Sequence, residues 1–404
     1  MNYESLSKHI RLVDTRNKEN VTNEVLGINI DKFFMPSVAN VIGTDLSKYK
    51  LISKGLFACN PMHVGRDERL PVALYSEETP ALVSPAYFMF EVIDTSVLDP
   101  EYLMMWFRRS EFDRICWLKT DGSVRGGITW DDIGRMEVPV PAIDEQRNIV
   151  KAYKVITDRI ALKKQINDNL EAQAQALFTS WFIDFEPFEH LVDEEGSPLP
   201  PSDWEDGILD SCIDFLNGYA FKSDDLLDEP TPDCYDVFKM GNIKKGGGLN
   251  YDGTKSWIER EFCVGLERFV LLHGDILMAM TDMKENVALL GHTALMDVED
   301  RYIVNQRVGL LRPNGYLGIS PYQIYLLTNN PTFLRELRRH AHIGVQVNLS
   351  KEDIVNSRVT YAPEEINRAF ANKVKPLFDC ISLNNAEILR LTDVALQIQA
   401  QLSR

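Results

Sequence analysis

Toward the C-terminus, apolar residues fall at Phe370, Val374, Leu377, Ile381, Ile388, Leu391, Ala395, Ile398 and Leu402, in alternating steps of four and three that only Asn384 interrupts. That spacing is the seam of a coiled-coil helix. A second seam lies mid-chain at Ile149, Tyr153, Ile156, Ile160, Leu170, Ala174, Leu177 and Trp181, with Lys163 and Asn167 as its polar interruptions. Each seam follows a proline-punctuated extended segment, "VPVPAIDEQRNIV" (Val138 to Val150) and "VTYAPEEINRAFA" (Val359 to Ala371). Two seams of about 35 to 40 residues make helices roughly 50–60 Å long, long enough to bury each other. Two unrelated core helices are the alternative. In an antiparallel pair Asn167 and Asn384 meet near the middle, and a buried amide pair fixes register at a cost in stability. Pro376 interrupts the second helix where the first has Val155; an interior proline is expected to kink it or delay its start.

The junction occurs twice because the chain repeats. An offset of 221 aligns much of the second half on the first without a gap. Val83 falls on Val304, Pro100 on Pro321, Phe112 on Phe333, Arg114 on Arg335, "ITWDDI" (Ile128 to Ile133) on "LSKEDI" (Leu349 to Ile354), Val138 on Val359, Leu162 on Leu383 and Leu170 on Leu391. Upstream, "VLGINI" (Val25 to Ile30) resembles "FKMGNI" (Phe238 to Ile243) at a smaller offset of 213. Each half reads as short strands with turn signals, such as "KKGGGLNYDG" (Lys244 to Gly253), then helical pieces, "DPEYLMMWFRRSEFDRI" and "SPYQIYLLTNNPTFLRELRR". Asp99 or Ser96, and Ser320, are the expected N-caps. The expected fold is α+β: two mixed α/β units related by a pseudo-two-fold axis and separated by a pair of long antiparallel coiled-coil helices. The boundaries are a first unit at 1–141, a central helix at 142–182, an acidic linker at 183–203, a second unit at 204–362 and a C-terminal helix at 363–404.

Composition adds constraints. The chain has 404 residues, 45% hydrophobic and 25% charged, enough for two to three domains with real cores. The N-terminus has no signal-peptide core and no stretch is long and apolar enough to span a bilayer, so a soluble cytoplasmic protein is expected. Six scattered cysteines without a C-x-x-C pair suggest neither zinc nor a disulfide framework. The net charge of −17 argues at first against nucleic acid. Its location tempers this: from Phe182 to Gly207 there are nine Asp and Glu and no Lys or Arg, so the remainder is only mildly acidic. Local basic surfaces remain open, and so does a place in an assembly whose other subunits bring positive charge.

Enzyme signatures are weak. "CNPMHV" (Cys59 to Val64) has Met62 and His63 where an amino-methyltransferase turn needs proline and an aromatic residue. "KKGGGLN" lacks the spacing and trailing Lys-Ser/Thr of a phosphate loop. His340 and His342 are two apart, poor spacing for a helical metal pair, and no metal site is expected.

The specific strings resemble a family, the specificity (S) subunits of type I restriction-modification systems. "VPVPAIDEQRNIV" is similar to that family's junction between recognition domain and conserved helix, and "AQALFTSWFIDFEPF" (Ala174 to Phe188) to the end of its central helix. "LPPSDWEDGILDSCIDFLNGYAFKS" (Leu199 to Ser223) resembles the start of its second target-recognition domain. Two departures are visible: the first domain begins at "SLSKHI" without the Trp-bearing start, and "APEEINRAF" lacks the Glu-Gln pair after its proline. The resemblance implies a non-catalytic reader of double-stranded DNA, with one recognition domain per half of a bipartite asymmetric target. It implies that the helices set the spacer and dock DNA methyltransferase (M) subunits, expected to be two, with restriction (R) subunits as further partners. No cofactor is expected on this chain, S-adenosylmethionine belonging to the methyltransferase. A coiled-coil scaffold without DNA sequence preference is the competing class.

Base reading uses Arg, Lys, Asn and Gln in grooves. The polar loops supply Arg66, Arg69, Lys119 and Arg125 in the first unit, and Lys244, Lys245, Lys284, Asn286, Gln306, Arg307, Arg338, Arg339, His340, His342, Gln346 and Asn348 in the second. Trp181 and Phe182 are either core or a methyltransferase-docking patch. Ile160, Asn167, Leu170, Ile381, Asn384 and Leu391 mark the helix-pair seam and its register.

Overall fold

In a computed structural model the described residues are 3–38, 43–62, 64–120, 126–283, 287–344 and 346–402. They divide into two compact units, one of 1–162 with 387–404 and one of 163–386. Each holds a mixed α/β body and a stretch of both long helices.

The first body contains an antiparallel four-stranded sheet in the order Ile10–Leu12, Phe88–Val92, Phe57–Cys59, Val72–Leu74. The second body repeats it as Ile213–Asn217, Val308–Pro313, Ile276–Ala279, Thr293–Leu295. A further sheet in each body is centred on a parallel pair, Val25–Ile28 with Ala81–Val83 and Cys234–Phe238 with Tyr302–Val304. Strand pairing sets Val25 level with Leu82, and Val237 level with Ile303. Val25 therefore corresponds to Val237, and the alignment of "VLGINI" on "FKMGNI" slips by one residue. The 221 offset holds throughout the helical part. Helices Pro100–Phe107 and Pro321–Thr328, Ser110–Leu118 and Pro331–Arg339, and Trp130–Gly134 and Lys351–Val355 match one to one.

Their caps are local chemistry. Asp99, rather than Ser96, accepts from the amides of Glu101 and Tyr102, and Ser320 accepts from Gln323 N. These side chains satisfy donors that the first helical turn leaves orphaned. Tyr3–Ser5 pairs with Glu137–Pro139 as Glu205–Ile208 pairs with Arg358–Tyr361, so the same strand pairing forms in both bodies, although no tryptophan precedes it in the first. Trp204 has a different task. Its ring packs on Phe182, Phe185 and Phe188 at 5.2–5.6 Å, closing the aromatic cluster through which the acidic linker leaves the helix.

The long helices span Ile143–Phe182 and Glu364–Gln401, with starts also 221 apart. Pro376 lies inside the second and does not delay its start. It is exposed, so the carbonyl it deprives of a partner faces water. In the first unit Gln399 Nε2 donates to the Tyr153 hydroxyl at 2.8 Å and Arg159 pairs with Glu387. In the second unit Phe182 and Phe178 meet Phe370, at 4.8 and 6.1 Å between ring centroids, and Asn167 meets Asn384. Within each unit the two helices are therefore antiparallel. Seam residues Ile160, Leu170, Ile381 and Leu391 are half-buried, and Asn167 and Asn384 are buried, while Leu162 and Leu383, one step off the seam, are exposed.

The junction is built alike in both halves. Gln146, fully buried, accepts from Asp99 N and donates to the carbonyls of Val97 and Pro141, all at 2.8 Å. Its counterpart Asn367 is also fully buried and donates to Leu317 O at 3.0 Å and Ala362 O at 2.9 Å. Asparagine is one methylene shorter, and Gln323 Nε2 reaches to it at 2.8 Å. The shorter Asn367 is thus met by the amide of Gln323 on the facing helix, where the first unit has Tyr102.

Candidate nucleic-acid interface

In the second unit, strand Ile276–Ala279 continues as Thr281–Met283, which pairs antiparallel with Gln346–Asn348, itself paired with His342–Ile343. This ribbon brings His342, Gln346 and Asn348 beside the strand that leads to Lys284 and Asn286. Those two residues, and Arg125, lie outside the described residues. Asn348 Oδ1 accepts from Thr281 Oγ1 at 2.8 Å, which commits that face of the amide to holding the ribbon. His342 is 71% exposed and sits 3.3 Å from Asp353. Burial works to raise the Asp353 carboxyl, but Ser350's hydrogen bonds and the nearby His342 and His340 hold it below the usual range.

A tight turn flanks the ribbon. Met280 N donates to Arg307 O at 3.0 Å, and Leu349 N to Met280 O at 2.9 Å, placing turn, strand and ribbon side by side. Within the turn Asn305 Oδ1 accepts from Gln306 N at 2.6 Å, and Arg307 adopts a left-handed φ of 69°. A non-glycine residue there costs on the order of 1 kcal/mol, and both Gln306 and Arg307 point into solvent. The turn is braced by Gly218–Tyr219: Gln306 N donates to Tyr219 O at 2.8 Å, and a Cβ on Gly218 would sit 1.9 Å from Asn305 O. Tyr219 is 39% exposed and packs on Phe221 in a tilted arrangement and on Phe269 edge-to-face, at 4.9 and 5.3 Å between ring centroids. Arg268 is exposed with its guanidinium 4.8 Å over the Phe269 ring.

The patch thus joins His342, Gln346, Gln306 and Arg307 with Tyr219, Arg268 and the 59% exposed Met283. The last three escaped the search for cations in glycine-flanked loops, although Gly218–Tyr219 lies inside the quoted "GYAF" string. The hairpin of His342–Ile343 with Gln346–Asn348 is two-stranded, a kind of element that the major groove of B-DNA admits, and arginine and glutamine can read base edges there.

Other residues go elsewhere. Arg338 Nε donates to Leu290 O at 2.9 Å, and burial, opposed by Asp282, pulls its pKa down. Arg339 pairs with Glu336, and His340 is exposed at the helix end. Lys244 and Lys245 are both exposed, and Lys244 is near enough to Glu171 of the first long helix for its charge to act on that carboxyl. Burial pushes that carboxyl up, Lys244 opposes this, and the Tyr325 hydroxyl donates to it. Phe182 is in the core, and Trp181 packs on Phe370 and Phe188 at 5.6 Å.

In the first unit Ile128 N donates to Pro61 O at 3.1 Å, the counterpart of the Leu349–Met280 bond, and Gly65 N donates to Gly126 O at 3.0 Å. The Arg66 loop is thereby tied to the segment after Arg125. Arg66 is bidentate to Asp67 at 2.6 and 2.9 Å, Arg69 pairs with Asp31 at 3.0 Å, and Lys119 caps its helix in solvent. Among the described residues, no group of three His, Cys, Asp or Glu is arranged to hold a metal ion.

With this geometry in view, the chain can be set beside known proteins. Residues 201–393 match the family of the type I restriction modification DNA specificity domain. This stretch is a DNA specificity domain of that family. The chain is 23% identical over 314 residues to the type I restriction enzyme MjaIX specificity subunit of Methanocaldococcus jannaschii, covering 73% of this chain and 66% of that protein. To the HindI specificity subunit of Haemophilus influenzae it is 29% identical over 170 residues, 41% of this chain and 35% of that one. The chain therefore spans less than two thirds of either relative's length. The crystal structure of a type I restriction-modification S subunit from M. genitalium superposes with a TM-score of 0.55 at 14% identity, covering 99% of this chain and 95% of that chain. That likeness concerns the fold: the specificity domain and the unit before it share the architecture of two mixed domains and two long helices.

Proposed function

We propose that this chain is the sequence-specific DNA-binding specificity subunit of a type I restriction-modification complex. Each α/β body reads one half of a bipartite, asymmetric target. The helices set the spacer and dock two methyltransferase subunits, which carry S-adenosylmethionine, and the chain itself is non-catalytic. The observation that carries this reading is the specificity-domain match on a unit whose strand order, helices and buried junction residue recur in the other half of the chain. Two non-identical halves joined by rigid helices read two different half-sites at a fixed separation. The exposed turn at Gln306–Arg307 and the ribbon bearing Gln346 are the second body's reading surface. Phosphate contacts from Arg268 and Lys245 position it.

The test is long-read methylation mapping of DNA from cells carrying this gene with its methyltransferase gene, against cells lacking only this gene. Loss of a methylated, interrupted two-part motif on deletion is expected. An unchanged methylome with an active methyltransferase overturns the proposal in favour of a scaffold. Within the motif, Arg307→Ala is expected to relax one half-site only, at about 1–3 kcal/mol for a lost base contact.

A further inference from the structure

The polar residues at the middle of the helix pair do more than meet each other. Lys163 Nζ donates to Asn384 Oδ1 at 2.8 Å, Asn384 Nδ2 to Asn167 Oδ1 at 2.8 Å, and Asn167 Nδ2 to Asn385 Oδ1 at 2.9 Å. The chain does not stop at the helices. Asn385 Nδ2 donates to Asp297 Oδ2 at 2.9 Å, and the Tyr251 hydroxyl donates to Asp297 Oδ1. The four bonds from Lys163 to Asp297 point the same way, from an ammonium to a carboxylate, so each polarises the next, and the Tyr251 hydroxyl donates to that carboxylate's other oxygen. Register needs only the Asn167–Asn384 pair; the extension to Asp297 and Tyr251 belongs to the recognition body.

Tyr251 sits on a closed strut. Asn250 Nδ2 donates to Gly241 O at 2.9 Å and Asn250 N to Asn242 O at 2.8 Å, and Gly253 approaches so closely that a Cβ there would lie 2.2 Å from Gly241 O. Burial and Asp297 together push the Tyr251 hydroxyl pKa up, keeping it a donor at any physiological pH. Another hold of the body on the helices is Trp204, whose ring packs on Phe182, which in turn meets Phe370. From Phe370 to Asn385 is fifteen residues of helix, about 22 Å at the helical rise. Two fixings that far apart stop the body from tilting. On such a lever, a displacement of 3.4 Å, the rise of one base pair, is a tilt of only about 9°.

We propose that Asp297, held between Asn385 and Tyr251, is a positioning residue that fixes the pitch of the recognition body on the helix pair and so narrows the range of spacer lengths the protein accepts. This rests on the bipartite reading above. Asp297 and Asn385 touch no base; they act by where they hold the surface that does.

The experiment reads methylation by the complete complex on a plasmid library in which the two half-sites found for the parent are separated by the parental spacer and by one and two base pairs more or fewer. Asp297→Ala and Asn385→Ala are expected to lower the preference for the parental spacer by about tenfold, the worth of one hydrogen bond to a charged acceptor, with both half-sites unchanged. Asp297→Asn, which keeps an acceptor for Asn385, retains most of the preference. Tyr251→Phe removes a single bond and serves if the alanine variants fail to assemble. Unchanged spacer discrimination in variants that still methylate overturns the proposal. A relaxed half-site with an unchanged spacer overturns it too, because it makes Asp297 a part of base reading. A parent that methylates no two-part motif defeats the bipartite reading itself, and this inference with it.

Discussion

Replacing Gln146 by alanine removes three hydrogen bonds to backbone at once, and the size of the effect follows from where they go. The amide N–H of Asp99 and the carbonyls of Val97 and Pro141 each lose a partner at 2.8 Å, in a site with no exposure to solvent. A buried polar group left unsatisfied costs about 1–3 kcal/mol. A water molecule can enter the space vacated by the carboxamide and recover part of this. The expected loss is about 3–5 kcal/mol in the stability of the first body at its junction with the helix. The chain has two units, so a single unfolding midpoint is not well defined. Hydrogen exchange of the Asp99 amide in the intact protein isolates the effect. A loss of even 2 kcal/mol raises that amide's exchange rate about 30-fold. Gln146→Asn should cost nearly as much, because Asn367 works in the second unit only with Gln323 reaching to it, and the first unit has Tyr102 at that place. An Asp99 amide whose exchange rises less than about threefold in Gln146→Ala would refute the claim that this side chain holds the junction together.

Other expectations follow from the same structure. Asn384→Leu should destabilise the helix pair by about 1–3 kcal/mol, since Asn167 and Lys163 lose a buried partner; the double change with Asn167→Leu should recover much of it while admitting shifted registers, measurable by cysteine cross-linking along the seam. Glu171 has its carboxyl raised above the usual 4.5 by burial. The folded protein therefore binds a proton more tightly than the unfolded one, and this contribution to stability is present below pH 4.5 and lost as pH rises through the folded value. Glu171→Gln should accordingly flatten the fall in the second unit's hydrogen-exchange protection on going from pH 4 to pH 8. Gly218→Ala forces a methyl group to within 1.9 Å of Asn305 O unless the turn moves; weakened DNA binding with an otherwise intact fold is expected in a gel-shift assay.

The repeat, the two seams and the junction were legible in the sequence because each is a periodic or collinear signal carried by many residues. The 221 offset survives as matching helices, caps and the start points of both long helices, and polar Asn167 and Asn384 announced their meeting by breaking an apolar register. What the tertiary structure decided was partnership. Lys244, a plausible DNA contact on composition, has a carboxylate raised by burial within reach of its charge, and Arg338 is spent on a carbonyl. Tyr219 and Met283 become surface, and Phe182 becomes core, through contacts from elements far away in the chain. Local spacing fixes which face of an element is apolar. Which charge stays free to meet DNA depends on what folds against it, and no local pattern encodes that.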